Sequence, residues 1–176
     1  MQLNATDVVI VHPEGTDPLT LVEEAIKLKK ERKEDAKTGN AIPYDEVWVV
    51  FDLEKPHDER RIKAKEAFST GRSENIKFGD SDPCFEFWLL LHEVYTTAQF
   101  KDCDSVIKRL KKYWPDYSKG ERPSEEFLKK LPAAVDRANR CRKHHAESGG
   151  DGNPGTNLDK LAILLNQATR LHLRLF

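Results

Sequence analysis

A chain of 176 residues is long enough for one domain with a substantial core and too short for two ordinary domains. Charged residues make up 34% of the chain, which predicts a strongly solvated surface, yet the apolar runs are too long for a wholly disordered protein. No apolar stretch reaches the length that a bilayer requires, and the polar N-terminal residues do not resemble a signal peptide, so we expect a cytoplasmic protein.

The first third of the chain predicts a strand, a helix and a second strand. Residues 8–11 are wholly apolar and predict a short strand. Asp17 and Pro18 are typical of an N-cap and a first helical position, for a helix that runs to about Lys37. The β-forming run at residues 47–51 predicts a strand buried on both faces. Because crossovers are right-handed, the two strands should be parallel.

Two carboxylates, Asp52 and Glu54, follow the second strand. Functional residues of open α/β sheets lie just beyond the carboxyl ends of the strands, and the spacing of two points both side chains the same way if strand geometry persists. Two hard oxygen ligands suit Mg²⁺ or Mn²⁺. Acidic residues after a strand also cap helices, and residues 56–59 are typical of a helix start, so both interpretations stay open.

The next elements are a helix at residues 59–68 that ends near Gly71, and a short third strand at residues 75–78. Residues 79–83 predict a turn. Residues 84–92 are almost wholly apolar and predict a buried helix that has Pro83 at its first position. Glu86 is the only acid in that helix, so it either faces a polar cleft or is paired inside the core.

Amphipathic helices dominate the second half, at residues 104–114, 124–145 and 158–171, and a glycine-rich connector is expected at residues 147–156. Residues 108–143 contain twelve Lys and Arg against five acids, an excess of seven positive charges. Such a surface can bind a phosphate backbone, although helical proteins also carry basic faces without that role. The candidate nucleic-acid contacts are Lys129, Lys130, Arg137, Arg140 and Lys143.

The three cysteines, Cys84, Cys103 and Cys141, are widely spaced and contain no CxxC pair. Neither a disulfide framework nor a zinc ribbon is therefore expected, which is consistent with a reducing cytosol.

Four phrases of the chain, residues 15–25, 44–52, 82–92 and 153–157, together resemble the RloB-like family. The most specific phrase is Pro-Cys-Phe-Glu-Phe-Trp-Leu-Leu-Leu-His at residues 83–92. The resemblance implies an α/β fold with a short, parallel, Toprim-like sheet flanked by helices at residues 1–95, and a helical part at residues 96–176 packed on the same domain. It also implies a role in prokaryotic antiviral defence, including abortive infection.

Toprim chemistry uses a glutamate after a first strand and an Asp-x-Asp pair after a later strand to hold Mg²⁺ against a phosphodiester. The resemblance therefore implies a Mg²⁺- or Mn²⁺-dependent nuclease acting on DNA or RNA. Asp52 and Glu54 would hold the metal, and Glu86 would line the same cleft as a catalytic residue. Two departures are that Glu54 stands where the family tends to have Asp, and that Asp82 replaces a usual Asn.

A third expected departure concerns the N-terminal strand, acidic turn and helix with which the family pattern begins, since we expect this unit to be missing ahead of residues 8–11. Glu14 could replace the missing glutamate or serve as a turn residue. His57 could bind phosphate or act as a general acid, with a turn residue as the alternative. The alternative function is a non-catalytic, N-terminally shortened subunit that binds nucleic acid or a partner ATPase. A free strand at residues 8–11 would also favour a homodimer.

Overall fold

The computed structural model describes residues 8–13, 15–54 and 59–173. Within them the protein is mixed α/β, as the sequence predicts. The strands are β1 (Trp48–Asp52), β2 (Lys77–Asp82) and β3 (Gly155–Thr156). The helices are α1 (Pro18–Lys37), α2 (Glu59–Ser73), α3 (Glu86–Glu93), α4 (Cys103–Leu110), α5 (Glu125–Leu128), α6 (Leu131–Ser148) and α7 (Leu158–Leu173). None of these described helices has both the length and the apolar character needed to cross a bilayer.

The start of α1 confirms the predicted cap. The Asp17 carboxylate accepts hydrogen bonds from the backbone N–H groups of Leu19 and Thr20, at 3.1 and 3.3 Å. These bonds satisfy two donors that have no partner inside the helix. The helix then buries Val22 in a first core, which also contains Val49, Phe51, Ala64, Ala67 and Ile76. This core joins α1 and α2 to one face of the sheet.

The sheet has the order β1-β2-β3, with a parallel β1/β2 pair and an antiparallel β2/β3 pair. In β1 the side chains alternate, so Val49 and Phe51 are buried while Val50 is 46% exposed. The prediction of a strand buried on both faces is therefore wrong. Gly79 of β2 lies between Val50 and Leu158, and a Cβ there would come within 3.1 Å of the Leu158 side chain. Glycine thus lets α7 approach this part of the sheet closely.

The predicted strand at residues 8–11 does not form, and the side chains there are 51–72% exposed. The parallel neighbour of β1 is β2, so the predicted strand–helix–strand unit is also wrong. Strand propensity reflects packing and ladder partners more than any intrinsic backbone preference, and the described residues provide no partner for this run. The homodimer that this run suggested stays a prediction.

The segment around Pro83 also differs from prediction. The expected turn at residues 79–83 largely belongs to β2, because Ser81 and Asp82 pair with β3 and Ser81 also pairs with β1. Pro83 follows a cis peptide bond and precedes α3, which begins only at Glu86. The helix predicted to end near Gly71 continues to Ser73, because Gly71 lies inside α2 against the ring of Phe78.

A second core lies in the helical half. α3 contributes Phe87, Leu90 and Leu91, and it packs against α4 and α6, which contribute Val106, Leu110, Ala134 and Ala138. The helix predicted at residues 124–145 is two helices, α5 and α6, and Pro132 lies in the first turn of α6. Proline is well accommodated at that position, because the first N–H groups of a helix have no intrahelical partner. α3 therefore packs against both the sheet and the helical half, as α6 and α7 also do.

Candidate carboxylate and cysteine site

The carboxyl end of β1 positions the first two candidate residues. Asp52 is the last residue of the strand, and the backbone N–H groups of Leu53 and Glu54 donate to the carbonyls of Ser81 and Pro83, at 2.8 and 2.9 Å. Glu54 has a φ of 62°, in the left-handed region that non-glycine residues rarely occupy. Strand geometry thus ends before Glu54, and the observed strain marks this turn as a candidate functional position.

Asp52 is tied to the start of α3, since its carboxylate accepts a hydrogen bond from the backbone N–H of Phe85. The pKa of Asp52 is raised to about 6, chiefly by burial and then by the charges of Glu86 and Glu54, while the Phe85 N–H and the charge of Arg60 oppose the shift. The structure therefore brings the three predicted carboxylates, Asp52, Glu54 and Glu86, into electrostatic contact.

Glu86 is 5% exposed, and its direct contacts go to residues of α4 and of the segment that follows α4. The Tyr117 hydroxyl donates to Glu86 Oε1 at 3.1 Å, and the Lys119 ammonium lies 3.9 Å from the same oxygen. Burial, together with the Glu86 charge, holds the pKa of Tyr117 well above its ordinary value. Sequence reasoning missed both partners, because they lie some thirty residues beyond Glu86 with no local pattern linking them.

Two cysteines lie next to Glu86. Cys84, just before α3, and Cys103, the first residue of α4, form a disulfide with a Cα–Cα distance of 5.6 Å. The expectation that no cysteines pair is therefore wrong, because packing of α4 against α3 brings together residues 19 positions apart. Cys141 is free and buried in the second core, and burial raises the pKa of its thiol to about 11.

Arginines from α2 border the carboxylates. Arg60 Nε donates to the carbonyl of Asp52 at 2.9 Å, and Arg61 Nη2 donates to the carbonyl of Glu54 at 3.2 Å and to the carboxylate of Asp82 at 2.6 Å. Burial raises the pKa of Asp82, although its ion pair with Arg61 opposes the shift. Asp82 thus holds Arg61 at the turn after β1. Neither arginine was predicted from the sequence to lie at this site.

The five basic residues proposed to contact nucleic acid all have partners within the protein. Lys129, Lys130 and Lys143 pair with Glu126, Glu93 and Glu147, and Arg140 lies near Asp136 and over the ring of Tyr95. Arg137 donates to the carbonyls of Leu91 and His92 at the end of α3. Lys129, Arg140 and Lys143 remain exposed, so their nucleic-acid role stays a prediction.

His92 has a structural role, and the candidates Glu14 and His57 cannot be placed. His92 is buried, bonds to the carbonyl of Trp88 and stacks on Phe127, and burial lowers its pKa, so it is a neutral core histidine. Glu14 and His57 lie outside the described residues.

A protein-family model described as RloB-like protein matches residues 2–165. The chain belongs to the RloB-like family. The match includes all three carboxylates and both bonded cysteines, so the corner described above lies within the family region. No curated protein and no solved structure matches the chain significantly. The function of this RloB-like protein is therefore inferred below from its carboxylates and cysteines.

Proposed function

We propose that this RloB-like protein is a Toprim-type nuclease that uses Mg²⁺ or Mn²⁺ to hydrolyse phosphodiester bonds of DNA or RNA. We place this activity in the cytoplasm and in antiviral defence of the abortive-infection kind. The observation that carries the proposal is the raised pKa of Asp52, at the carboxyl end of a parallel strand and beside two further carboxylates. Perturbed carboxylates at this location of an α/β sheet are characteristic of functional sites.

Asp52, Glu54 and Glu86 have the donor chemistry that a hard divalent cation prefers, and because their oxygens are not all within 4.8 Å of one another, they would have to close around the ion. Burial is the main cause of the raised pKa of Asp52, and the charges of Glu86 and Glu54 add to it. A cation bound beside Asp52 would offset both effects, because it favours the ionised carboxylate. When bound, Mg²⁺ would stabilise the charge that develops on the phosphodiester oxygens. Asp52 and Glu54 would hold the ion, and Glu86 would contribute charge from the start of α3. Lys119 has a side chain that is 66% exposed, and at the edge of this corner it would attract the phosphate backbone.

The test is cleavage of mixed DNA and RNA by the purified chain with Mg²⁺ or Mn²⁺, compared with Asp52→Ala. We expect the substitution to lower the cleavage rate by more than about a hundredfold, because displacing a metal ligand misplaces the reacting groups. Asp45→Ala is the matched control, since Asp45 is an exposed acid just before β1. Equal activity in the two variants would show that the cleavage has another source.

The second candidate function is a non-catalytic subunit that binds nucleic acid or a partner ATPase. It is favoured by the direct contacts of Glu86, which go to Tyr117, Lys119 and Cys103. In that case nucleic acid would bind without divalent metal and without cleavage. Binding that weakens steeply with salt, and that is lost when Lys129, Arg140 and Lys143 are replaced together by alanine, would support this function.

A further inference from the structure

Cys84 and Cys103 have no role in the proposed nuclease, and they form a cluster with Glu86. One ligand atom from each of the three residues, the two sulfurs and a carboxylate oxygen, lies within 4.8 Å of the others. Cys84 and Glu86 are buried and Cys103 is half-buried, so the cluster is largely shielded from solvent. Two sulfurs and one carboxylate can supply the three protein ligands of a zinc site.

The contact between Cys103 and Glu86 determines which chemical state suits the cluster. Cys103 Sγ lies 3.1 Å from Glu86 Oε2, and Glu86 is nearly fully buried. A disulfide sulfur carries no proton, so in the disulfide form two electron-rich atoms face each other in a buried place. In the dithiol form the Cys103 thiol can donate to the carboxylate. In the dithiolate form a cation between the three groups would satisfy all of them.

We infer that, in the reduced protein, Cys84, Glu86 and Cys103 bind a soft divalent cation of the zinc class. Binding releases the two thiol protons, since thiolates are the ligands. Two thiolates and one carboxylate carry three negative charges, which the cation and the nearby Lys119 ammonium balance. Thiolates on a tetrahedral zinc lie about 3.8 Å apart at Zn–S distances of about 2.3 Å, so the sulfurs separate by side-chain rotation once reduced.

The site shares Glu86 with the proposed Mg²⁺ site, but its two sulfur ligands are separate from Asp52 and Glu54. Hard cations prefer oxygen ligands and zinc prefers thiolates, so Asp52 and Glu54 suit Mg²⁺ while the cysteine pair suits zinc. Tyr117 holds one oxygen of Glu86 at 3.1 Å and leaves the other directed at the sulfurs. This inference does not depend on the proposed nuclease activity, and metal binding can be measured without any substrate.

The test uses the full chain, reduced with a phosphine under oxygen-free conditions and titrated with Co²⁺ and then Zn²⁺. We expect one Co²⁺ per chain with thiolate-to-cobalt charge-transfer absorption in the near ultraviolet, and its displacement by Zn²⁺. Cys103→Ser should weaken binding by more than about a hundredfold, which exceeds the effect of losing an outer-shell partner. Glu86→Gln should weaken it by at least about tenfold while leaving both thiols.

Cys141→Ser is the control, because Cys141 is buried in the second core and bonds to the carbonyl of Thr96. It should bind Co²⁺ as the parent chain does. The inference is overturned if the reduced parent shows no charge-transfer band, if Cys103→Ser keeps it, or if Glu86→Gln binds Co²⁺ with unchanged affinity. Circular dichroism of each variant checks folding, and Glu86→Gln carries the test alone if Cys103→Ser does not fold.

Discussion

Asp52 is half-buried at the end of β1 and Asp159 is fully buried at the start of α7, and their surroundings differ in charge. Asp159, in the first turn of α7, is 1% exposed, and both of its oxygens accept from the Arg142 guanidinium at 2.6–2.7 Å. Asp52 lies among carboxylates instead, and its pKa rises to about 6. The ion pair of Asp159 shows that this fold can neutralise a buried acid. The carboxylates near Asp52 are not neutralised in this way, which favours a functional role for them over a purely structural one.

The largest expected effect on stability comes from removing the Arg142–Asp159 ion pair. Arg142→Ala leaves the Asp159 carboxylate buried without its cation, and it also removes a hydrogen bond to the carbonyl of Thr156. Breaking a buried ion pair from one side costs about 3–5 kcal/mol, measured here as the free energy of unfolding in urea. Arg140→Ala is the control: its side chain is 54% exposed, so a loss below about 1 kcal/mol is expected. Similar losses of unfolding free energy in Arg142→Ala and Arg140→Ala would show that the buried ion pair contributes no more than the exposed one.

Arg137→Met tests whether the basic residues of α6 serve the fold or a ligand. Arg137 donates to two carbonyls at the end of α3, at 2.8 Å each, and losing hydrogen bonds from a charged group costs about 1.5–3 kcal/mol. Lys143→Met, whose side chain is 76% exposed, should leave stability nearly unchanged. If nucleic-acid contact is instead the main role of Arg137, stability will hold while the salt dependence of binding falls by about one phosphate contact.

Replacing Asp52 should raise stability, whereas replacing Arg142 should lower it. Asp52 has a higher pKa in the folded protein than its ordinary 3.8, so the folded state retains a proton that the unfolded state releases. Stability contributed by this group therefore falls as pH rises from about 4 to about 6. Asp52→Asn removes that loss and keeps an oxygen that can accept from the Phe85 N–H.

The variant should therefore be more stable than the parent above about pH 6, by on the order of 1–2 kcal/mol, with the difference vanishing near pH 4. Thermal unfolding in a chelator across this range measures it, with Asp45→Asn as the exposed control. A parent that is more stable than the variant at pH 8 would show that burial and neighbouring charges do not disfavour the ionised Asp52 carboxylate.

The smallest effect concerns the cation itself. Mg²⁺ at about five times its Kd should raise the stability of the parent by about 1 kcal/mol, because a ligand that binds only the folded state stabilises it by mass action. The gain should be absent in Asp52→Asn and present in Asp45→Asn. Equal gains in all three proteins would mean that Mg²⁺ binds elsewhere. The environment of Asp52 would then give no support for a metal site.

Prediction from sequence succeeded where neighbouring residues carry the information. The cap of α1 depends on Asp17 and Pro18, and the end of β1 at Asp52 depends on a short β-forming run, so both were predicted within a residue or two. It failed where a distant residue decides. Gly71 was expected to end a helix but is buried against Phe78, and a turn was expected where Ser81 bonds to Thr156, 75 positions away.

The sequence by itself determined the family, the mixed α/β class and the position of Asp52 and Glu54 at the end of a strand, because each follows from a local motif or a local pattern. Only the tertiary structure decided that Glu86 meets Tyr117 and Lys119, and that Cys84 meets Cys103. The same is true of the pairing of Arg142 with Asp159. These contacts arise when α3, α4, α6 and α7 pack around apolar faces, and no spacing along the chain records which polar groups that packing brings together.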